Sequence, residues 1–231
     1  MEALGGSPLA AEEIRVLGAL VEKDLITPQA YPLTLNSLVA ACNQSSNRHP
    51  VVAYEPYEVE AALRSLRERQ LIRVVHPSHG DRSTKYRHVL DEALRLDPRT
   101  ELGILAVLAL RGPQTPGELK TRTERMADLD DLAAVEAVLA DLATGETPLV
   151  LRLERQPGQK ESRWAHLLSG APDPAELVAL AAMAAMAVNG GPLSAAGPTQ
   201  DRLDALEAEV ARLATQVAEL RTALGLDPPA L

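Results

Sequence analysis

The stretch E-I-R-V-L-G-A-L, Glu13 to Leu20, returns as E-L-G-I-L-A-V-L, Glu101 to Leu108. P-L-T-L-N-S-L, Pro32 to Leu38, answers P-Q-T-P-G-E-L, Pro113 to Leu119. V-E-A-A-L-R-S-L, Val59 to Leu66, answers V-E-A-V-L-A-D-L, Val135 to Leu142. Tyr86 and His88 answer Trp164 and His166. The offset drifts between 88 and 76 residues, as short loop insertions produce while the elements themselves persist. One unit is therefore present twice.

Each copy reads as three helices and a hairpin. The first predicted helix runs from about Leu9 to Asp24, capped at Ser7 or a neighbour, with Ile14, Leu17, Leu20 and Val21 as its apolar stripe and Glu and Arg outside it. Pro28 and Pro32 break it, and Thr34 is the expected N-cap of a second helix. The polar run Asn43 to Pro50 reads as a loop. Pro56 suits the first turn of a third helix that buries Val59, Ala62, Leu63 and Leu66, leaving Glu58, Ala61, Arg64, Ser65 and Glu68 outward. Leu71 to His76 and Thr84 to Val89 read as the two strands of a hairpin. The second copy repeats the plan: a helix over Thr100 to Leu110, Thr115 as cap, a third helix from Leu132 to Ala143, and strands over Pro148 to Glu154 and Ser162 to Leu167.

That order is the signature of a winged helix. The expected fold is mainly α with small β-hairpin wings (α+β), as two tandem winged-helix domains at 9–90 and 98–170. An Ala-rich helix and flexible linker follow at 171–200, and a short coiled coil at 201–225. Leu203, Val210, Val217 and Leu224 take heptad position a; Leu206, Leu213 and Leu220 take position d. Val at central a positions with Leu at d favours a parallel two-stranded coil, so these residues are the expected dimerisation seam.

The chain has 231 residues and a net charge of −9, but the charge is unevenly spread. Residues 1–98 and 99–170 carry −2 each, and the remainder carries −5. Between Arg64 and Val89, Arg64, Arg67, Arg69, Arg73, Arg82, Lys85 and Arg87 face only Glu68 and Asp81. A basic patch thus sits inside an acidic chain. Asn43, Gln44, Ser45, Asn47 and Arg48 lie in the loop before the third helix, and such side chains serve phosphates or base edges. The candidate DNA-contacting set is Asn43, Gln44, Ser45, Asn47, Arg48, Arg64, Arg67, Arg73, Arg82, Lys85 and Arg87. In the second copy, Arg152, Arg155, Lys160 and Arg163 oppose Glu146, Glu154 and Glu161, so its hairpin is nearly neutral and reads as structural.

Other classes have little support. Cys42 is the single cysteine, so no intramolecular disulfide forms. Cys42 with His49 is a poor nucleophile pair, and His76, His79 and His88 lack the supporting acids of a metal site. No P-loop, glycine-rich dinucleotide turn or H-E-x-x-H occurs. The start lacks the pattern of a signal peptide, and the longest nearly uncharged apolar stretch, Leu177 to Val188, is too short to span a bilayer. The expectation is a cytoplasmic, dimeric, non-enzymatic, DNA-binding regulatory protein with no cofactor and no membrane partner. The alternative is a non-catalytic scaffold that uses the same helices to hold a protein partner.

L-G-A-L-V-E-K over Leu17 to Lys23, A-C-N-Q-S-S-N-R over Ala41 to Arg48, and L-R-G-P-Q-T-P-G-E-L-K-T-R-T-E-R-M over Leu110 to Met126 resemble the bacterial YceH family of uncharacterised proteins. The likeness covers about Leu9 to Gly170. It implies tandem winged-helix domains and supplies no activity, ligand or functional residue.

Overall fold

A computed structural model describes residues 7–77, 83–144, 147–155 and 159–172. Arg82, nearly all of the 171–200 segment and the whole 201–225 heptad segment lie outside the described residues. Within them the fold is mixed α and β, mainly helical, with two small antiparallel sheets.

Helix α1 spans Ala11–Ile26, and after a 3-10 turn at Pro28–Ala30 comes the two-residue strand β1, Leu33–Thr34. Helix α2 (Leu35–Cys42) starts at Thr34, whose side chain accepts from the Ser37 N–H, as expected of an N-cap. Helix α3 spans Pro56–Glu68 and buries Val59, Ala62, Leu63 and Leu66. Strands β2 (Ile72–Val75) and β3 (Lys85–His88) form the hairpin, and β1 adds to β3, giving the order β1-β3-β2. A short helix α4, Leu90–Leu94, leads to the second copy.

There, α5 (Thr100–Arg111), α6 (Pro116–Thr123), α7 (Leu132–Ala143), β4 (Val150–Arg152) and β5 (Trp164–His166) follow in the same order. Thr115 caps α6 as Thr34 caps α2, its side chain accepting from Glu118 N–H. The hairpin registers also match. Ile72 faces His88 and Val74 faces Tyr86; Val150 faces His166 and Arg152 faces Trp164. Leu33 pairs with Tyr86 in the first copy, and Gln114 bridges to Trp164 in the second. The repeat in the letters is a repeat in hydrogen bonds.

Two expectations change. Neither β1 nor α4 was anticipated: two residues and five are too short to set a periodicity. And α1 is not amphipathic, because every residue from Glu13 to Glu22 is buried. The reason is tertiary. One side of α1 meets α2 and α3, and another meets α5 so closely that a Cβ on Gly18 would lie 3.1 Å from the Ala109 Cβ and the Leu110 Cγ. A single apolar cluster consequently runs through both copies, including Leu17, Leu20, Leu38, Leu63, Ile104, Leu108, Leu119 and Leu139. Its ends are tied as well: Leu9 N–H donates to Leu168 C=O (2.9 Å), and His49 N–H to Leu110 C=O (2.8 Å).

Candidate nucleic-acid interface

The loop from Asn43 to Glu55 has no regular structure, so its polar groups need partners of its own. Asn43 supplies one pair, its amide donating to Tyr54 C=O and accepting from Tyr54 N–H, both at 2.8 Å. Buried Arg15 donates to Pro50 C=O at 2.6 Å and to Cys42 C=O at 3.3 Å. Arg48 supplies the rest. Its side chain is 0% exposed; its guanidinium donates to both Glu22 carboxylate oxygens (3.0 and 2.6 Å) and twice to Ala41 C=O (3.1 and 2.8 Å). Asn47, in the left-handed region at φ 60°, is exposed and accepts from Arg111.

The loop members of the sequence-derived set therefore need correcting. Arg48 is sealed away with its donors occupied and cannot reach a phosphate, and Asn43 ties its amide to the loop backbone. Asn47 is engaged by Arg111, leaving Gln44, half-buried, and Ser45, exposed. Nothing in one sequence separates a polar loop residue that faces water from one that holds the loop shut.

The helix and hairpin members fare differently. Arg64 and Arg67 are exposed on α3, and neither has an ion-pair partner among the described residues. Arg73 and Arg87 are register partners across β2 and β3, where two like charges repel. Glu92 of α4 bridges them, at 2.7 Å from Arg73 and 3.3 Å from Arg87, so the pair keeps a net charge of one. Lys85 pairs with Val75 on the same hairpin. Arg69, counted in the basic patch, turns inward: it donates to Ser7 C=O (2.8 Å) and approaches Glu13 at 3.3 Å. Fewer of these charges stand unpaired at the surface than the letters suggest.

Sequence reading passed over two apolar residues. Tyr57, in the first turn of α3, is 70% exposed, and Val51, on the pinned loop, is 59% exposed. Pro56 directly before Tyr57 was the available signal, since it marks the exposed start of the helix.

The two copies diverge at matched positions. Tyr57, Arg64 and Arg67 correspond to Ala133, Ala140 and Ala143 on α7, and Arg73 and Arg87 to Leu151 and Ala165. In the second copy Arg163 is held by Glu118 (2.8 Å), and Leu132 and Leu151 are 45% and 42% exposed.

Cys42 and His88 are buried titratable side chains among the described residues. Burial pushes the Cys42 thiol up to about 12, against the pull of Arg48 and Arg15, so it is protonated at neutral pH. Buried His88 holds Asp24 through Nε2 at 3.0 Å and accepts from Leu90 N–H through Nδ1. Among the described residues no three His, Cys, Asp or Glu side chains are grouped to hold a metal, and no helix is long and apolar enough to cross a membrane.

A family model described as "Protein of unknown function, DUF480" matches residues 9–159, from the start of α1 to beyond β4. The chain belongs to the DUF480 family. The match takes in the first copy and the second as far as the segment before β5, which agrees with the resemblance to the YceH family. A UPF0502 protein of Geobacter sulfurreducens is 53% identical over 201 residues, covering 87% of this chain and 88% of that one. A UPF0502 protein of Geotalea uraniireducens is 58% identical over 161 residues, 70% of this chain and 72% of the relative. One from Azoarcus sp. is 49% identical over 211 residues, 91% and 88% of the two chains. This DUF480 member thus shares most of its length with bacterial relatives whose names carry no activity.

Proposed function

We propose that each copy of the repeat is a winged helix, and that the first binds double-stranded DNA through α3 and the β2–β3 hairpin in a non-catalytic, regulatory role. One observation carries this reading: on matched scaffolds, Arg64, Arg67, Arg73 and Arg87 stand where the second copy has Ala140, Ala143, Leu151 and Ala165. A scaffold needs no arginine at those sites, since the second copy does without. A helix beside a hairpin also suits a duplex: the helix enters the major groove and the hairpin reaches phosphate. The heptad segment 201–225 would pair two such chains in the cytoplasm, raising effective concentration on one duplex without new contacts.

The test is fluorescence anisotropy with a labelled mixed-sequence duplex over a range of salt. Arg64→Gln, Arg67→Gln, Arg73→Gln and Arg87→Gln together should weaken binding and flatten the plot of log K against log salt, by about 0.9 for each phosphate no longer neutralised. No duplex binding at low salt, or an unchanged slope, would defeat the reading.

A second reading has its own observation. The outward face of α7 holds Leu132, Ala133, Ala137 and Ala140, with Leu151 on the strand packed against that helix. That face suits a protein partner better than a polyanion. A stoichiometric partner that survives nuclease treatment and is lost with Ala137→Arg would favour it.

A further inference from the structure

Tyr57 is the most exposed large hydrophobic side chain among the described residues, and the fold does not require it there. Its hydroxyl has no partner among those residues, and the matched position in the second copy is Ala133. Leaving a ring in water forfeits burial worth about 25 cal/mol per Å², which contact with a partner would recover.

What surrounds the ring is held firmly. Val59, Ala62, Leu63 and Leu66 anchor α3 in the core, and Glu58 reaches back to accept from Glu55 N–H at 2.8 Å. The preceding loop is fixed by the Asn43–Tyr54 and Arg15–Pro50 bonds. Tyr57, Ala61 and Arg64 fall at i, i+4 and i+7, a single exposed stripe on α3. The seven-residue spacing is about 10 Å along the axis, or roughly three base-pair steps of B-form DNA. Helices that enter the major groove present their first turns to base edges. There an apolar side chain contacts the thymine methyl, and arginine takes guanine O6 and N7.

We infer that Tyr57 reads a thymine methyl and Arg64 a guanine about three steps away, making the first copy selective for thymine-containing duplex DNA. This rests on the DNA-binding reading above. RNA is excluded on two counts: uracil lacks the methyl, and the A-form major groove is too narrow for the helix. Glu60, exposed on the flank of the same stripe, faces the duplex as a carboxylate that accepts from cytosine and repels bare phosphate.

The experiment selects duplexes from a randomised DNA pool with the full-length chain, then remakes an enriched duplex with deoxyuridine for thymidine at each position in turn. That exchange removes one methyl. The wild type should lose about fourfold in affinity at one position, from about 0.8 kcal/mol per buried methylene-sized group. Tyr57→Ala should bind the thymine duplex about as weakly as the wild type binds the uracil form, and should no longer tell them apart. Tyr57→Phe should keep the discrimination. Circular dichroism checks that the variants, altered at an exposed site, remain folded. A wild type that binds with the expected salt slope but has no uracil-sensitive position overturns the inference and leaves the DNA reading standing. So does a Tyr57→Ala variant that still discriminates. Absence of any enriched duplex, with no arginine-dependent salt slope, overturns both.

Discussion

Arg48 carries its charge into a place that water does not reach, and Glu22 is the only carboxylate that receives it among the described residues. Breaking such a pair from one side leaves a buried charge unanswered, which costs about 3–5 kcal/mol. Arg48→Met should therefore lower the urea midpoint sharply, and adding Glu22→Met should recover a large part of the loss. If the single variant is as stable as the wild type, the loop is not held as described. His166 makes the opposite prediction in kind. Its Nδ1 is buried with no partner among the described residues, and burial lowers its pKa from 6.5 to about 4. Below about pH 6.5 the unfolded chain takes up a proton that the folded chain refuses, so stability falls as pH drops toward 4. His166→Leu should flatten that limb of a stability-versus-pH curve. An unchanged limb would assign acid sensitivity to other groups.

At the scale of elements, two glycines in helices call for opposite responses. A side chain at Gly18 meets Ala109 and Leu110 across the α1–α5 contact, where a Cβ alone would stand at 3.1 Å. Gly18→Val should therefore force the helices apart and lower stability by about 1–3 kcal/mol in thermal or urea unfolding. Gly117, in the first turn of α6, has no heavy atom closer than 4.0 Å to its would-be Cβ. Gly117→Ala should stabilise by roughly 0.5–1 kcal/mol, because it removes backbone freedom from the unfolded chain at no steric cost. Equal destabilisation by both would mean that the close approach is not what distinguishes them. These elements were largely legible beforehand. Caps at Thr34 and Thr115, Pro56 at a helix start and the buried face of α3 are local signals, written within a few residues of where they act. Strand β1 was not legible, since Leu33 pairs with Tyr86 across more than fifty residues.

For the whole molecule, the shared core implies that neither copy is self-sufficient. Ile14, Leu17, Gly18 and Val21 of α1 lie against Leu105, Ala106 and Ala109 of α5 around a small apolar void. Residues 1–98 expressed alone would bare that side of α1, and should lose helix content or self-associate by circular dichroism and sedimentation. A monomeric fragment with cooperative unfolding would contradict this. The proposed interface follows the same logic of scale. The sequence by itself determined the internal repeat, the order of helices and hairpins, and the membership of Arg64 in an outward face, because periodicity and capping are properties of neighbouring residues. Only the tertiary structure decided which charges remain on the surface. Arg48 and Arg69 turn inward, Arg73 and Arg87 share Glu92, and charged α1 is enclosed, because a partner brought near by folding sets the fate of a charge and lies too far along the chain for its spacing to announce.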